Sequence, residues 1–582
     1  MLTHFTNNKR VYFPFSFFNR PIRANRFSII MVVFGFIMIV QTLGLAVIQI
    51  SSINDLQKIG NDPAYPLNGE YELTQDIDAS GFYFMPIGSP TNPFTGTFDG
   101  KGCEITGLND IRPAEPGGLF SCVGSGGEIK NLGIDNCSVY FMKYSGVLVG
   151  KNYGTISNCY VKCSAVGNQK VGGLVGVNYG TVLNCFTSGS IGYCSDTVGG
   201  LIGLNYGTVL NSHSASSVSA NIGVVGGLIG YNGIGGTISN CYSSGSAVAT
   251  DDMSGEFGGL VGENTGEISN SYSLAFVSEY AGPIGSNEIG GLVGRNRGPI
   301  RHCYSAGFVK NYHLYILVGG LTGRGGNVYN SYWDIEASGQ SSSSGGVGKT
   351  TAEMKKQATF VGWDFANTWR IIEDTTYPYL YWQYVVPEVV GTSQNWAEDM
   401  ITEGAGLVIG TIDHQCSNTV PAGKIISQSP AAGVQLLPGS AVDLVVSTGP
   451  CMVATINNIP SQYNVYRGAN LLLVAEVQGG SGTLHYQWYF EFGGEKNAKA
   501  GGEPIPGANG NTLLLLNLQE ANTGWYWCQV SDDYDVVETP RVHITVEDAG
   551  MSVISGYVIL VAVITMMFVG LYRIHSRSVA KE

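Results

Sequence analysis

Three signatures are missing from this chain: a basic stripe, a Cys-x-x-Cys pair and a His-Glu-x-x-His run. Only 13% of residues are charged and the formal net charge is −14. A nucleic-acid binder needs a basic face to displace counterions from phosphates, so nucleic acid is set aside as a partner. Of twelve cysteines, the nearest two are Cys159 and Cys163, with no second pair or histidine cluster behind them. A zinc site is therefore not expected. The scarcity of charge, beside 44% hydrophobic residues, also argues against disorder. What the chain has in excess is glycine, with 82 copies but no strict Gly-X-Y period, which excludes collagen. Glycine at that density among Val, Ile, Leu and Tyr predicts many short strands joined by tight turns.

Two apolar runs frame the chain. Ser28 to Ile50 follows a segment carrying Lys9, Arg10, Arg20, Arg23 and Arg26, and reads as a signal peptide or an uncleaved signal anchor over residues 1–50. Ser552 to Tyr572 has the length of a membrane-spanning helix. Arg573, His575, Arg577 and Lys581 follow at once, which predicts a cytoplasmic C-terminus and a span-plus-tail over residues 548–582. Everything between is then expected outside the cytoplasm, with the membrane as a partner.

The middle of the chain repeats itself, a pattern to be sought before any other. Copies of a GGLVG-x-N-x-G-T-I-x-N-C-Y unit start at Gly146, Gly172, Gly199, Gly226, Gly258 and Gly290, with a worn copy at Gly319. Both halves are too short and too glycine-rich for helices and read as strands. Asn152, Asn178, Asn205, Asn264 and Asn296 recur before a glycine, where a tight corner would favour positive φ. A unit of this size loses roughly 1–2 kcal/mol per residue in backbone entropy, while each of its few buried apolar side chains returns about 1.5–3 kcal/mol. One unit cannot stand alone; stacked units can, which predicts a parallel β-solenoid. A second asparagine column, Asn158, Asn184, Asn211, Asn240, Asn270 and Asn330, broken by His302, reads as a hydrogen-bonded corner ladder with a structural role, ligand binding being the alternative. The next position alternates Cys159, Cys185, Ser212, Cys241, Ser271, Cys303 and Ser331. That free exchange fits a small inward residue and makes a disulfide framework doubtful.

These units resemble the GLUG motif of secreted bacterial repeat proteins, which occurs in the non-catalytic part of some immunoglobulin-A proteases. The resemblance covers residues 145–332. Residues 51–144 resemble the lead-in of such proteins, with Gly96 to Gly100 expected as a hairpin-like turn. Residues 333–384 resemble the closing segment, with a helix from Thr351 to Phe360, Thr351 as its N-cap, covering the last open edge.

Two small modules follow. Residues 385–449 are similar to a PASTA domain: Ser393 caps a helix to about Glu403, and three strands follow. That resemblance implies contact with cell-wall material, a spacer role being the other reading. Residues 450–547 resemble an immunoglobulin-type sandwich. Trp488 is the expected core tryptophan and Tyr526 the corner tyrosine, while Cys528 has only Ala475 or Val477 where a partner cysteine would stand.

The search for chemistry returns no catalytic, cofactor or metal residues. In GGVGKTT (Gly345 to Thr351) the first glycine of a phosphate loop would fall at Ser343, after a serine-rich stretch and not a buried strand. Asp76 and Asp78 could pair for acid–base work but are expected to face solvent or bind turns. The expected fold is mainly β: a parallel β-solenoid, then a small α+β PASTA domain and an Ig-like β-sandwich, with terminal transmembrane segments. The expected function is non-enzymatic display or adhesion on a bacterial cell envelope, with peptidoglycan, a glycan or a surface protein as ligand. The alternatives are a β-helix carbohydrate-active enzyme and a wall-sensing receptor.

Overall fold

A computed structural model describes residues 46–111, 114–194, 196–250, 255–279, 287–311, 317–456, 459–493 and 502–548. The run Ser552 to Tyr572 and most of the run Ser28 to Ile50 lie outside these residues. Among the described residues no helix is long and apolar enough to cross a membrane. The end of the first run is described, and it belongs to the fold: Ile48–Ile50 is a strand paired in parallel with Tyr71–Leu73.

From that strand the chain winds a β-solenoid of about 12 turns. One face is an eight-stranded parallel sheet, from Phe120–Val123 through Val149–Asn152, Val175–Asn178, Ile202–Asn205, Ile229–Asn232, Val261–Asn264 and Val293–Asn296 to Thr322–Arg324. The register is position for position, Asn178 pairing with Asn152 on one side and Asn205 on the other. Identical residues stack because a one-residue slip would turn every core side chain to the other face. Leu148, Leu174, Leu201, Leu228, Leu260, Leu292 and Leu321 form one fully buried column, and Ile156, Val182, Val209, Ile238, Ile268 and Ile300 a second. The glycine before each leucine motif is demanded by proximity: a Cβ on Gly199 would lie 2.0 Å from the carbonyl oxygen of Ile202.

Both asparagine columns form amide ladders, as expected of the second, but the positive φ expected at the first is not there. Positive φ belongs to the second, from Asn158 (52°) to Asn330 (45°), including His302 (53°). The first column sits at strand ends and forms a buried amide ladder. Asn152 Nδ2 donates to Asn178 Oδ1 at 2.8 Å, and the same bond recurs from Asn178, Asn205, Asn232 and Asn264 to the next rung at 2.8–2.9 Å. The Cys/Ser column points inward. Cys159 Sγ and Ser212 Oγ each donate to the carbonyl two residues back, at 3.2 and 2.8 Å, so either residue satisfies the turn.

Three local expectations are revised. Gly96 to Gly100 makes no hairpin, since Thr97–Thr106 is one strand in parallel pairing with Glu70–Leu73 and with Glu128–Gly146. The closing helix is a single turn, Thr351–Met354, capped by Thr350 in a reciprocal box with Glu353. The last rung's edge is met by the strand Val347–Lys349 pairing with Tyr332–Asp334. Disulfides are present: Cys137–Cys163 between neighbouring rungs and Cys416–Cys451 at the junction of the two C-terminal modules. The repeat-column cysteines are free and buried.

The PASTA module holds the helix Gln394–Asp399, capped by Ser393, against the strands Val408–Gln415, Ile425–Ser429 and Ala441–Ser447. The final module is two facing sheets, one of Val453–Ile456, Leu471–Gln478 and Thr512–Leu515, the other centred on His485–Phe492 and Gly524–Ser531. Trp488 and Cys528 are fully buried in its core beside Ala475, and Cys528 is unpaired. Tyr526 Oη donates to the carbonyl of Asn522 at 2.9 Å, closing the corner.

Candidate functional site

Neighbouring residues of a strand point to opposite faces. Where the Cys/Ser column points in, the next column points out, and it is aromatic: Tyr160, Phe186, His213, Tyr242, Tyr272, Tyr304 and Tyr332. Rings from Tyr160 to Tyr304 stack at centroid spacings of 4.5–5.2 Å, with successive planes 14° or less apart. Such a stripe needs a cover. The PASTA core packs onto Tyr160 and Phe186 through Trp396, Ala397 and Ile401. The closing segment packs onto Tyr272, Tyr304 and Tyr332 through Met354, Phe360, Trp363 and Trp369. Between them Trp382 leans on His213 and Tyr242 and donates its indole N–H to the carbonyl of Asn240 at 3.0 Å.

A polar latch completes the docking. Lys162 reaches Asp399 of the PASTA helix at 2.8 Å, with Asp135 and Glu403 each at 3.8 Å. Burial works to lower the Lys162 ammonium, and the bond to Asp399 more than offsets it, leaving it raised. Ser393 N–H donates to the carbonyl of Gly102 at 2.7 Å, and His213 Nε2 lies 2.9 Å from the carbonyl oxygen of Glu403. Lys424 Nζ rests 2.8 Å from Cys103 Sγ. Beneath the latch Tyr160 donates to the buried Glu104. Burial pushes Glu104 up to about 7, the Tyr160 bond pulls it down, and Asp399, Asp76 and Asp135 push it up again. Burial lowers His213 to about 4, so it is neutral at neutral pH.

Beside the latch a cleft of about 690 Å³ opens between the PASTA domain and the solenoid. Its floor is the second asparagine column: Asn131, Asn158, Asn184 and Asn211. Asn158, Asn184, Asn211 and Asn240 each donate Nδ2 to the Oδ1 of the preceding rung at 3.1–3.3 Å. Tyr381, Trp382 and Trp396 supply aromatic walls, and Asp99 and Lys101 stand at one end. The Asp99 carboxylate is occupied, accepting from Lys101 N–H at 2.9 Å and Asn131 Nδ2 at 3.0 Å. The structure thus gathers Asn158, Asn184 and Asn211 at one cleft. Asn240 borders it through Trp382, Asn270 lies further along the column, and Asn330 gives its carbonyl to Trp363 Nε1 at 2.7 Å. Trp488, Tyr526 and Cys528 serve the last module's core. Asp78 binds its own turn, accepting from the N–H of Ser80, while Asp76 accepts from the N–H of Glu104 in the strand of the next rung, both at 2.9 Å. Among the described residues no group of three or more His, Cys, Asp or Glu could hold a metal ion.

Sequence reasoning missed Tyr381, Trp382, Trp396, Glu104 and Lys162. The available signal was the aromatic after each Cys or Ser, which by alternation must face outward and be covered.

Comparison with known proteins matches the PASTA domain to residues 384–448 and the GLUG motif to residues 221–249. The chain carries both. Halomucin of Haloquadratum walsbyi is 38% identical over 131 residues, 21% of this chain and 1% of halomucin. A putative Gly-rich membrane protein of Evansella cellulosilytica is 32% identical over 108 residues, 18% of this chain and 12% of that protein. A probable serine/threonine-protein kinase of Clostridium acetobutylicum is 37% identical over 65 residues, 11% of this chain and 10% of the kinase. The chain thus spans an eighth or less of these relatives. Among solved structures, an IgA1 protease has 18% identity and a TM-score of 0.33, covering 49% of this chain and 21% of that one. The extracellular region of the Ser/Thr kinase PrkC from Staphylococcus aureus has 18% identity and a TM-score of 0.11, covering 29% and 56%.

Proposed function

We propose that this chain is a membrane-anchored display protein of a bacterial cell envelope, in which a stiff extracytoplasmic solenoid presents a cleft built jointly with its PASTA domain to wall, glycan or surface-protein ligands. The observation that carries the reading is the latch. The PASTA domain is fixed to the rungs by Lys162–Asp399 and by the packing of its core on Tyr160 and Phe186, so it works as part of a surface and not as a pendant spacer. Two disulfides suit an oxidising compartment. The apolar run before the first strand, residues 28–47, and the run Ser552–Tyr572 suit anchorage. A binding role, without catalysis, is favoured because Asp99 at the cleft end is engaged by Lys101 and Asn131, and Glu104 is buried under Tyr160.

The test is protease shaving of intact cells with peptide mapping, together with co-sedimentation of the full chain with purified wall. Cleavage between residues 51 and 547 and retention on wall are expected. Full protection in intact cells that is lost on lysis would refute the topology. Passage through wall, with no other surface ligand captured, would refute the contact role.

A further inference from the structure

We infer that the cleft between the PASTA domain and the solenoid is a saccharide site, its asparagine floor reading the hydroxyl and acetamido groups of a linear glycan strand. This rests on the envelope reading and names the ligand class of the same cleft. A side-chain amide offers two N–H groups and two lone-pair sites. Within the ladder Asn158, Asn184 and Asn211 each spend one N–H on the rung before and one acceptor site on the rung after. One donor and one acceptor per rung are left over, and these three residues line the cleft at half-exposed or exposed positions. Rungs are about 4.8 Å apart, close to the length of one pyranose unit, so the spare groups repeat at the step of a glycan.

The walls agree with the floor. Tyr381 and Trp382 offer aromatic surface suited to the C–H face of a sugar ring. Trp396 is 4% exposed and its indole N–H has no acceptor, an unsatisfied buried donor at the cleft wall. Charge argues against other occupants. Lys101, the cation lining the cleft, is paired with Glu72 at 2.8 Å and with Asp99 at 3.5 Å, and Arg370, which lies 4.2 Å over the Tyr381 ring, is spent on the carbonyls of Phe365, Trp369 and Ala366.

The test is calorimetric titration of the full chain in detergent with chitohexaose, cellohexaose and peptide-free peptidoglycan strands. The three arms separate a wall source from other polysaccharides. Saturable binding of at least one is expected. Asn184→Gly keeps the positive φ of 52° while removing the amide, and should weaken binding about tenfold, or about 1.4 kcal/mol. Asn270→Gly makes the same change in the same column outside the cleft and should leave binding unaltered. Tyr381→Ala, at a position 41% exposed, should weaken binding without touching the ladder. No saturation with any of the three sugars would overturn the proposal. So would unchanged affinity in both Asn184→Gly and Tyr381→Ala, or binding of sugar-free stem peptides in place of glycans. Protease shaving reports on the envelope reading separately.

Discussion

Replacing Glu104 by glutamine should change how the PASTA–solenoid contact responds to pH. In the folded protein Glu104 titrates at about 7 against 4.5 for a free glutamate. The folded state therefore holds a proton that the unfolded chain releases. Its contribution is full below about pH 4.5 and is lost as pH rises through about 7. One pKa unit corresponds to about 1.4 kcal/mol, so the total is on the order of 3 kcal/mol. His213 works with the opposite sign. It titrates at about 4 against 6.5, so its stabilisation is full above 6.5 and is lost as pH falls. In the native chain the two slopes nearly cancel between about pH 4.5 and 6.5, and a decline continues to about 7. Glutamine retains a carbonyl to accept from Tyr160 and cannot ionise. The variant should therefore expose the His213 slope, its local stability climbing by on the order of 3 kcal/mol from pH 4 to 6.5 and then levelling. Amide exchange in the helix Gln394–Asp399, corrected for intrinsic rates and referred to the strand Gly524–Ser531, reads that stability directly. Parallel profiles for native and Glu104→Gln protein would refute the reasoning.

Asn205→Ala removes the acceptor of Asn178 Nδ2 and the donor to Asn232 Oδ1 in a fully buried ladder. A loss of about 2–4 kcal/mol is expected in urea unfolding, from unsatisfied groups on both sides. Alkylation after denaturation without reductant should label Cys103, Cys122, Cys159, Cys185, Cys241, Cys303 and Cys528 and spare Cys137, Cys163, Cys416 and Cys451. Quantitative protection of Cys528 would show that it is paired after all. Lys162→Met breaks the half-buried pair with Asp399 and should cost the docking about 1–3 kcal/mol, seen as faster limited proteolysis around residues 384–448.

The solenoid was legible because its residues are constrained many times over. Each copied leucine, glycine and asparagine must match the rungs above and below, so the period survives in the text of the chain. The same redundancy hid which asparagine did what. Both columns end a short strand beside a tight turn, and composition alone cannot tell the amide that turns inward at Asn152 from the left-handed backbone at Asn158. The Ig-like corner was readable from local spacing, since Tyr526 bonds a carbonyl four residues away. The PASTA latch was not, because Lys162 and Asp399 are 237 residues apart and no periodicity links them. The disulfides escaped for a related reason. Cys137 and Cys163 oppose each other only once the register is known, and they lie in a different column from the free cysteines.

Repeat arrays ordinarily gain and lose units by unequal recombination, since an extra rung only lengthens the rod. Here the cover on the aromatic stripe ties that freedom down. One continuous stretch, residues 350–407, is seated on rungs from Gly102 to Tyr332, with Trp382 bound at Asn240 and Ser393 at Gly102. A duplicated rung between those two anchor points would part them by one strand spacing, about 4.8 Å, and the ten residues between Trp382 and Ser393, which seat Val386 and Val389 in the PASTA core, would have to unpack to reach both. Copy number in this region is thus measured by the strap laid across it, and homologous chains that keep the strap should keep the count.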